Sequence, residues 1–533
     1  MDCKIYPIVD EDVMGVPFPK AKMAKSIPAL ANPRTLDGLP AELLLEILSY
    51  ISNSRSAFND STFRPDPMIW KKGRYVGNPA NPNAELWSLC LTNRYLNYVS
   101  EPVLYQEFHH ALWKSPALVH FLRAIIRRPH LASQVKKISL VYIKTFDTRR
   151  DRPSAPPTPL ANKDDVQLFL QAVRKSYIMY KVDEKQIWRL EDSALVILLF
   201  SQVSNLRELH YNLSGNLLTQ ASTDLVNTTL WDMLVFDGRQ LGGFPFGSLK
   251  KVTLSSINTN KENGYETSRF PLNRTAAWLF LPSVESLDLF SCKMHQFSPY
   301  SMFTSLSGQT YNQPRLHKRL PPRLSVASLT SITFRDSVVD MDALYDMLSH
   351  CKSLKSFDFQ WGSPDFDTFD FDSLDFGSRQ IDYGKVGRAL QTQKHSLENL
   401  MLDATKAINN YGPAMEKIKY RIGLLGSLQD FKKLSYVDVP GLAIMGWKIS
   451  LGLDEVLPPN IQTLKIQSIG YNPLYQIEEL ARVAPESFRS LRLVEIGVWE
   501  LKLADYLITN GVEFFAKRGV TLIVKSKSQD MKS

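Results

Sequence analysis

One short pattern recurs along most of this chain. It runs Ser, Asn or Gln, then an apolar residue, two mostly polar residues, an apolar residue, a spacer and an apolar residue. Copies begin at Gln134, Asn205, Ser248, Ser283, Ser328, Ser353, Ser396, Asn460 and Ser490, and a further copy near Asp430–Val439 has an ambiguous frame. Three apolar positions at this spacing arise easily by chance. The shared polar residue in front and the polar pair inside do not. Most successive copies lie about 25 to 45 residues apart, the range of stacked repeat units. The last three positions alternate apolar, polar, apolar, which defines a short strand. Its two apolar side chains point to a core, its spacer points to an open face, and the first apolar residue anchors the preceding turn. One unit cannot bury such a core alone, so neighbours must stack. Between strands, Met341–His350 and Leu474–Val483 carry helical spacing. The expected fold is therefore α/β: a solenoid with a parallel strand layer backed by helices.

Composition bounds the rest. The chain has 533 residues, with 44% hydrophobic and 22% charged, the balance of a globular protein. That length suggests about three or four domains, although a solenoid counts as one. The longest apolar run, Ala194–Phe200, is far short of the ~20 residues of a membrane helix. Met1–Pro7 contains no apolar signal core. Cys3, Cys90, Cys292 and Cys351 are widely separated, as in a reducing compartment. These features predict a cytoplasmic or nuclear protein that is not secreted and has no membrane partner. Lys and Arg number 63 against 54 Asp and Glu, a net +9. They are scattered rather than gathered into a long stripe, so no nucleic-acid partner is expected.

The chain also divides by pattern. Residues 1–35 carry several prolines and no periodicity, and read as a flexible arm. A helix is predicted over Leu39–Ile51, with Leu43, Leu44, Ile47, Leu48 and Ile51 on one face and Pro40 at its first turn. A long loop at Asn53–Asn83 precedes a second helix at Ala84–Val99, and Pro102 opens a short segment. Helices are expected at Pro116–Arg127, Asp164–Tyr180 and Asp192–Phe200, with a linker at Asp147–Pro159. Asp365–Phe376 alternates acidic and aromatic residues and reads as an insert loop.

Two resemblances follow from these residues. The repeats are similar to leucine-rich repeats of the long, irregular kind. Leu39-Pro40, Glu42 and Ile47-Leu48-Ser49-Tyr50-Ile51, then Leu89–Leu96 and Val103-Leu104-Tyr105, resemble an F-box of the sort common in fungi. The resemblance implies an F-box at 36–110 with its internal loop at about 53–83, a repeat solenoid at 111–524 and a tail at 525–533. It implies a substrate receptor of a Skp–cullin–F-box ubiquitin ligase. Such a receptor docks on the Skp-type adaptor, and through it on a cullin–RING module, while its repeats hold a protein target. Carried onto this sequence, the adaptor-facing residues are Leu39, Pro40, Leu43, Leu44, Ile47, Leu48 and Leu91. The spacer positions that would face a target include His210, Asp288, Asp358, Met401, Lys465 and Glu495, with Thr253 and Thr333 between them. A non-degradative interaction scaffold whose F-box-like helices are structural is the competing reading.

Motifs of chemistry are missing. There is no Gly-x4-Gly-Lys-Ser/Thr loop, no Gly-x-Ser-x-Gly elbow and no His-Glu-x-x-His. Gly384–Gly387 is an isolated Gly-x-x-Gly. Cys292 and His295 have ligand-like spacing without a second pair nearby. No catalytic residue, metal or cofactor is expected, and the chain is not predicted to be an enzyme.

Overall fold

A computed structural model describes residues 39–48, 84–112, 116–143, 162–176, 182–212, 246–256, 269–272, 278–279, 281–294, 328–362, 381–411, 422–446, 452–469, 474–498 and 501–526. The predicted arm, the Asn53–Asn83 loop, the Asp147–Pro159 linker and the Asp365–Phe376 segment lie outside these residues. The chain divides into two compact units, Met1–Leu104 and Tyr105–Ser533.

The described part of the first unit is helical. Helix α1 covers 41–48, α2 is Ala84–Thr92 and α3 is Arg94–Leu104. The sequence suggested one helix over Ala84–Val99; Asn93 divides it. The Asn93 Oδ1 accepts the Leu96 N–H at 2.8 Å, the bond of a residue that caps a new helix start. Pro102 lies inside α3 rather than opening a segment after it. Leu44, Leu48, Leu86, Leu96, Val99 and Val103 form the core of this unit.

Among the described residues, the second unit is built on a 14-stranded sheet. Its strands are β1 (Glu107–Leu112), β2 (Lys137–Ile143), β3 (Glu208–Asn212), β4 (Lys251–Ser255), β5 (Phe270–Pro271), β6 (Ser286–Phe290), β7 (Cys292–Met294), β8 (Ser331–Val339), β9 (Ser356–Trp361), β10 (Asn399–Asp403), β11 (Tyr436–Pro440), β12 (Thr463–Ile469), β13 (Leu493–Val498) and β14 (Thr521–Ser526). The main path follows chain order, β1-β2-β3-β4-β6-β8-β9-β10-β11-β12-β13-β14, with β5 and β7 as a side ladder on β8. Neighbours pair in parallel throughout, for example Leu287 with Ile332 and Leu400 with Val437. The sheet is open, with β1 and β14 at its edges. Parallel neighbours need a crossover between them, and helices such as Lys163–Lys175, Met341–Ser349, Tyr383–Gln391 and Leu474–Ser487 supply it.

Every recurring sequence position has a physical job. The first apolar residue of each copy, including Val135, Leu206, Leu249, Val284, Leu354 and Ile461, is buried. The two strand apolar positions stack in register; Leu287, Ile332 and Phe357 form one column, and Leu289, Phe334 and Phe359 the next. In several copies the polar residue in front ties its unit to the one before. Ser283 Oγ donates to the Phe246 carbonyl at 2.5 Å, Ser328 Oγ to the Val284 carbonyl at 2.9 Å, and Asn460 Nδ2 to the Lys432 carbonyl at 2.7 Å. This need for a short donor explains why Ser and Asn recur there. Gln393 makes a similar tie from inside: its buried amide nitrogen donates to the carbonyls of Leu348 and Cys351 at 2.8 and 2.9 Å.

The ambiguous copy is resolved with Leu434 as its buried anchor and Tyr436–Pro440 as its strand. The sheet is longer than the pattern suggested. It begins at β1, before the first copy at Gln134, and ends with β14 at Ser526, past the expected limit of 524. The Gly-x-x-Gly at Gly384–Gly387 is a packing feature: a Cβ on Gly387 would sit 1.8 Å from the Leu425 carbonyl oxygen. Only glycine permits that approach.

Candidate functional site

Two surfaces stand out, one on each unit. On the helical unit, the predicted apolar stripe of α1 is divided. Leu44 and Leu48 are 3% and 2% exposed and pack with Leu86 and Val99. They are core, and the structure removes them from the adaptor-facing set. Leu43 and Ile47, one position earlier on the same turns, face out, with Leu43 48% exposed. Leu91 on α2 is 60% exposed. Pro40 is exposed, whereas Leu39 is half-buried against the core. The Leu39 carbonyl accepts the Tyr95 hydroxyl at 3.1 Å, which fixes the start of α1 against α3.

Sequence reading missed Leu45 and Tyr98, both exposed on the same unit. Their signal was weak, because neither repeats at the spacing of the stripe. Leu43, Leu45, Ile47, Leu91 and Tyr98 are large apolar side chains exposed among the described residues of this unit. Cys90, beside Leu91, has its thiol pushed up to about 11 by burial and by Glu101, so it is not a reactive thiolate.

On the sheet, the spacer residues form one continuous row. The pairs His210–Thr253, Thr253–Asp288, Asp288–Thr333, Thr333–Asp358 and Asp358–Met401 are in register. Met401–Asp438, Asp438–Lys465 and Lys465–Glu495 continue it. The structure thus brings His210, Asp288, Asp358, Met401, Lys465 and Glu495 onto one face. Asp438 joins them from the copy whose frame was ambiguous. The row is less open than its sequence pattern implied, since Thr253, Asp358 and Asp438 are buried among their neighbours.

The carboxylates of the row are already engaged. Asp288 lies 3.2 Å from the Lys251 ammonium. Asp358 accepts a hydrogen bond from the Arg335 guanidinium. Asp438 accepts from Gln467 Nε2 at 2.5 Å, and Glu495 faces Lys465 at 3.7 Å and Lys525 at 2.6 Å. Burial still dominates Asp358 and lifts its pKa to about 6, with Asp438, Asp403 and Asp288 adding to the rise and Arg335 opposing it. At the other end, burial with help from Lys137 and Lys251 lowers His210 to about 4. Charged groups at this depth are held by networks, so the face presents a fixed arrangement of polar groups.

Among the described residues no group of His, Cys, Asp and Glu side chains is placed to hold a metal ion. Cys292 is buried, with its sulfur 3.3 Å from Ser337 Oγ. Among the same residues, no helix is long and apolar enough to cross a membrane. The sequence matches no protein-family model and no curated protein.

Proposed function

We propose that this chain is the substrate-recognition subunit of a Skp–cullin–F-box ubiquitin ligase. The observation that carries the reading is the exposed apolar set Leu43, Ile47 and Leu91 on a small helical unit whose core is filled by other residues. Such side chains do not stabilise the unit that carries them, and they suit a helix-packing contact with an adaptor. Leu45 and Tyr98 are exposed elsewhere on the same unit. The repeat sheet, with its row of fixed polar groups, is the part that holds a protein target. The receptor performs no bond chemistry itself; it brings the target to the cullin-bound RING partner.

Co-expression of the full chain with a Skp-type adaptor, followed by size-exclusion chromatography, tests the reading. A one-to-one complex is expected, and L43A/I47A should abolish it while leaving the chain folded. A well-behaved chain that ignores the adaptor would contradict the proposal and favour an interaction scaffold.

A further inference from the structure

The edge of the repeat sheet where the strands begin carries a charge pattern that packing does not require. At each strand entry one carbonyl accepts the N–H groups of two residues in the next unit. Lys136 O accepts from Arg207 and Glu208, Arg207 O from Lys250 and Lys251, and Lys250 O from Glu285 and Ser286. Lys136, Arg207, Lys250 and Glu285 therefore occupy equivalent places on successive units. Lys355 and Glu398 occupy the same place further along. Neighbouring side chains on this rim reach each other: Lys250 and Glu285 pair at 2.5 Å, and Lys355 and Glu398 at 3.5 Å.

Over β2–β4 the rim breaks this habit. Lys136, Arg207 and Lys250 follow one another with no acid between them, at a strand spacing of ~4.8 Å. Like charges side by side on a sheet destabilise it. Arg207 and Lys250 are exposed, and Lys136 is half-exposed. Among the described residues neither Lys136 nor Arg207 has an ion-pair partner. Glu208, which follows Arg207 in the chain, faces Lys137 at 3.9 Å instead. The rim thus holds a run of three cations of which only Lys250 has an acidic partner, Glu285, among the described residues.

We propose that this rim binds an extended acidic segment of a protein partner, with its carboxylates laid across β2–β4 against Lys136, Arg207 and Lys250. The inference deepens the target-holding role given to the repeat sheet and rests on it. A peptide fits better than a nucleic acid, because a run of three cations offers few of the phosphate contacts on which nucleic-acid binding rests.

Fluorescence anisotropy of a labelled oligo-glutamate peptide on the full chain provides the test, with oligo-glutamine as control. The expected result is salt-sensitive binding of oligo-glutamate alone, weakened about tenfold in K136E/R207E, the scale for reversing two exposed charges. K136Q/R207Q should fall between. Equal binding of both peptides, or of wild type and variants, would overturn the proposal. So would tighter binding of single-stranded RNA than of oligo-glutamate at the same residues. Should the charge-reversed chain fail to fold, the salt dependence and the glutamine control on wild type decide the matter. Adaptor binding, measured in parallel, separates the two readings. A chain that binds adaptor but not peptide refutes the rim alone, and one that binds peptide but not adaptor refutes the ligase reading alone.

Discussion

The two units treat the same residue type in opposite ways. In the repeat sheet, apolar side chains of the recurring pattern are withdrawn into the core; Leu287, Leu400 and Leu464 are wholly buried. In the helical unit, the leucine and isoleucine side chains of Leu43, Leu45, Ile47 and Leu91 face water. The difference teaches that apolar periodicity alone cannot assign a role. In a stacked sheet the period of two leaves no choice of face. On a short amphipathic helix the apolar stripe can be wider than the core that receives it, and the surplus is free for a partner.

The comparison can be broken most forcefully in the sheet. Phe359→Ala, in the stacked column between Phe334 and Leu402, should cost about 3–5 kcal/mol and lower the urea midpoint of the full chain sharply. On the helical unit, Leu44→Ala should cost about 2–5 kcal/mol, read as lost hydrogen-exchange protection across α1–α3. Leu43→Ala should stay within about 0.5 kcal/mol. Equal costs at Leu43 and Leu44 would erase the distinction between the two units.

A second contrast lies within the sheet, and pH exposes it. Asp358 binds its proton more tightly in the folded chain, near 6, than its ordinary value of about 3.9. Its contribution is therefore present at acid pH and lost as pH rises through roughly 4 to 6. His210 is the reverse: its folded value near 4 is below the ordinary value of about 6.5. Its contribution is present at neutral pH and lost as pH falls through roughly 6.5 to 4. Each effect is at most about 3 kcal/mol. Stability curves of D358N and H210N against pH should diverge from wild type in opposite directions, and parallel curves would contradict the burial of one or both groups.

The smallest expected effect concerns Tyr383. Its hydroxyl is buried and, among the described residues, has no hydrogen-bond partner. Tyr383→Phe should be neutral or stabilise by up to about 1 kcal/mol, because it removes an unsatisfied donor. Destabilisation in a thermal melt would reveal a partner for that hydroxyl.

The sheet was largely legible because each unit repeats the same physical solution. Anchor, strand pair and leading donor recur together, so even the spacer row could be named in advance. β1 and β14 were missed because terminal units lack the full pattern: β1 follows α3 with no Ser or Asn tie, and β14 follows Gly519-Val520. Asp438 was hidden by the ambiguous frame of the copy near Asp430–Val439. On α1, Leu44 and Leu48 could not be told from Leu43 and Ile47, since a stripe shows which side is apolar but not where α2 and α3 press on it. The rim of Lys136, Arg207 and Lys250 was invisible for another reason. Its members are far apart in the chain, and only parallel register places them side by side.

The account depends most on the claim that the outward apolar residues of α1 and α2 serve docking rather than folding. Titrating a Skp-type adaptor onto purified wild-type and L43A/I47A chains by calorimetry, with a melting curve of each, tests it directly. The account predicts that the variant melts as wild type does and binds the adaptor at least a hundredfold more weakly, about the sum of two interface anchors. Undiminished binding, or a variant that unfolds, would contradict it.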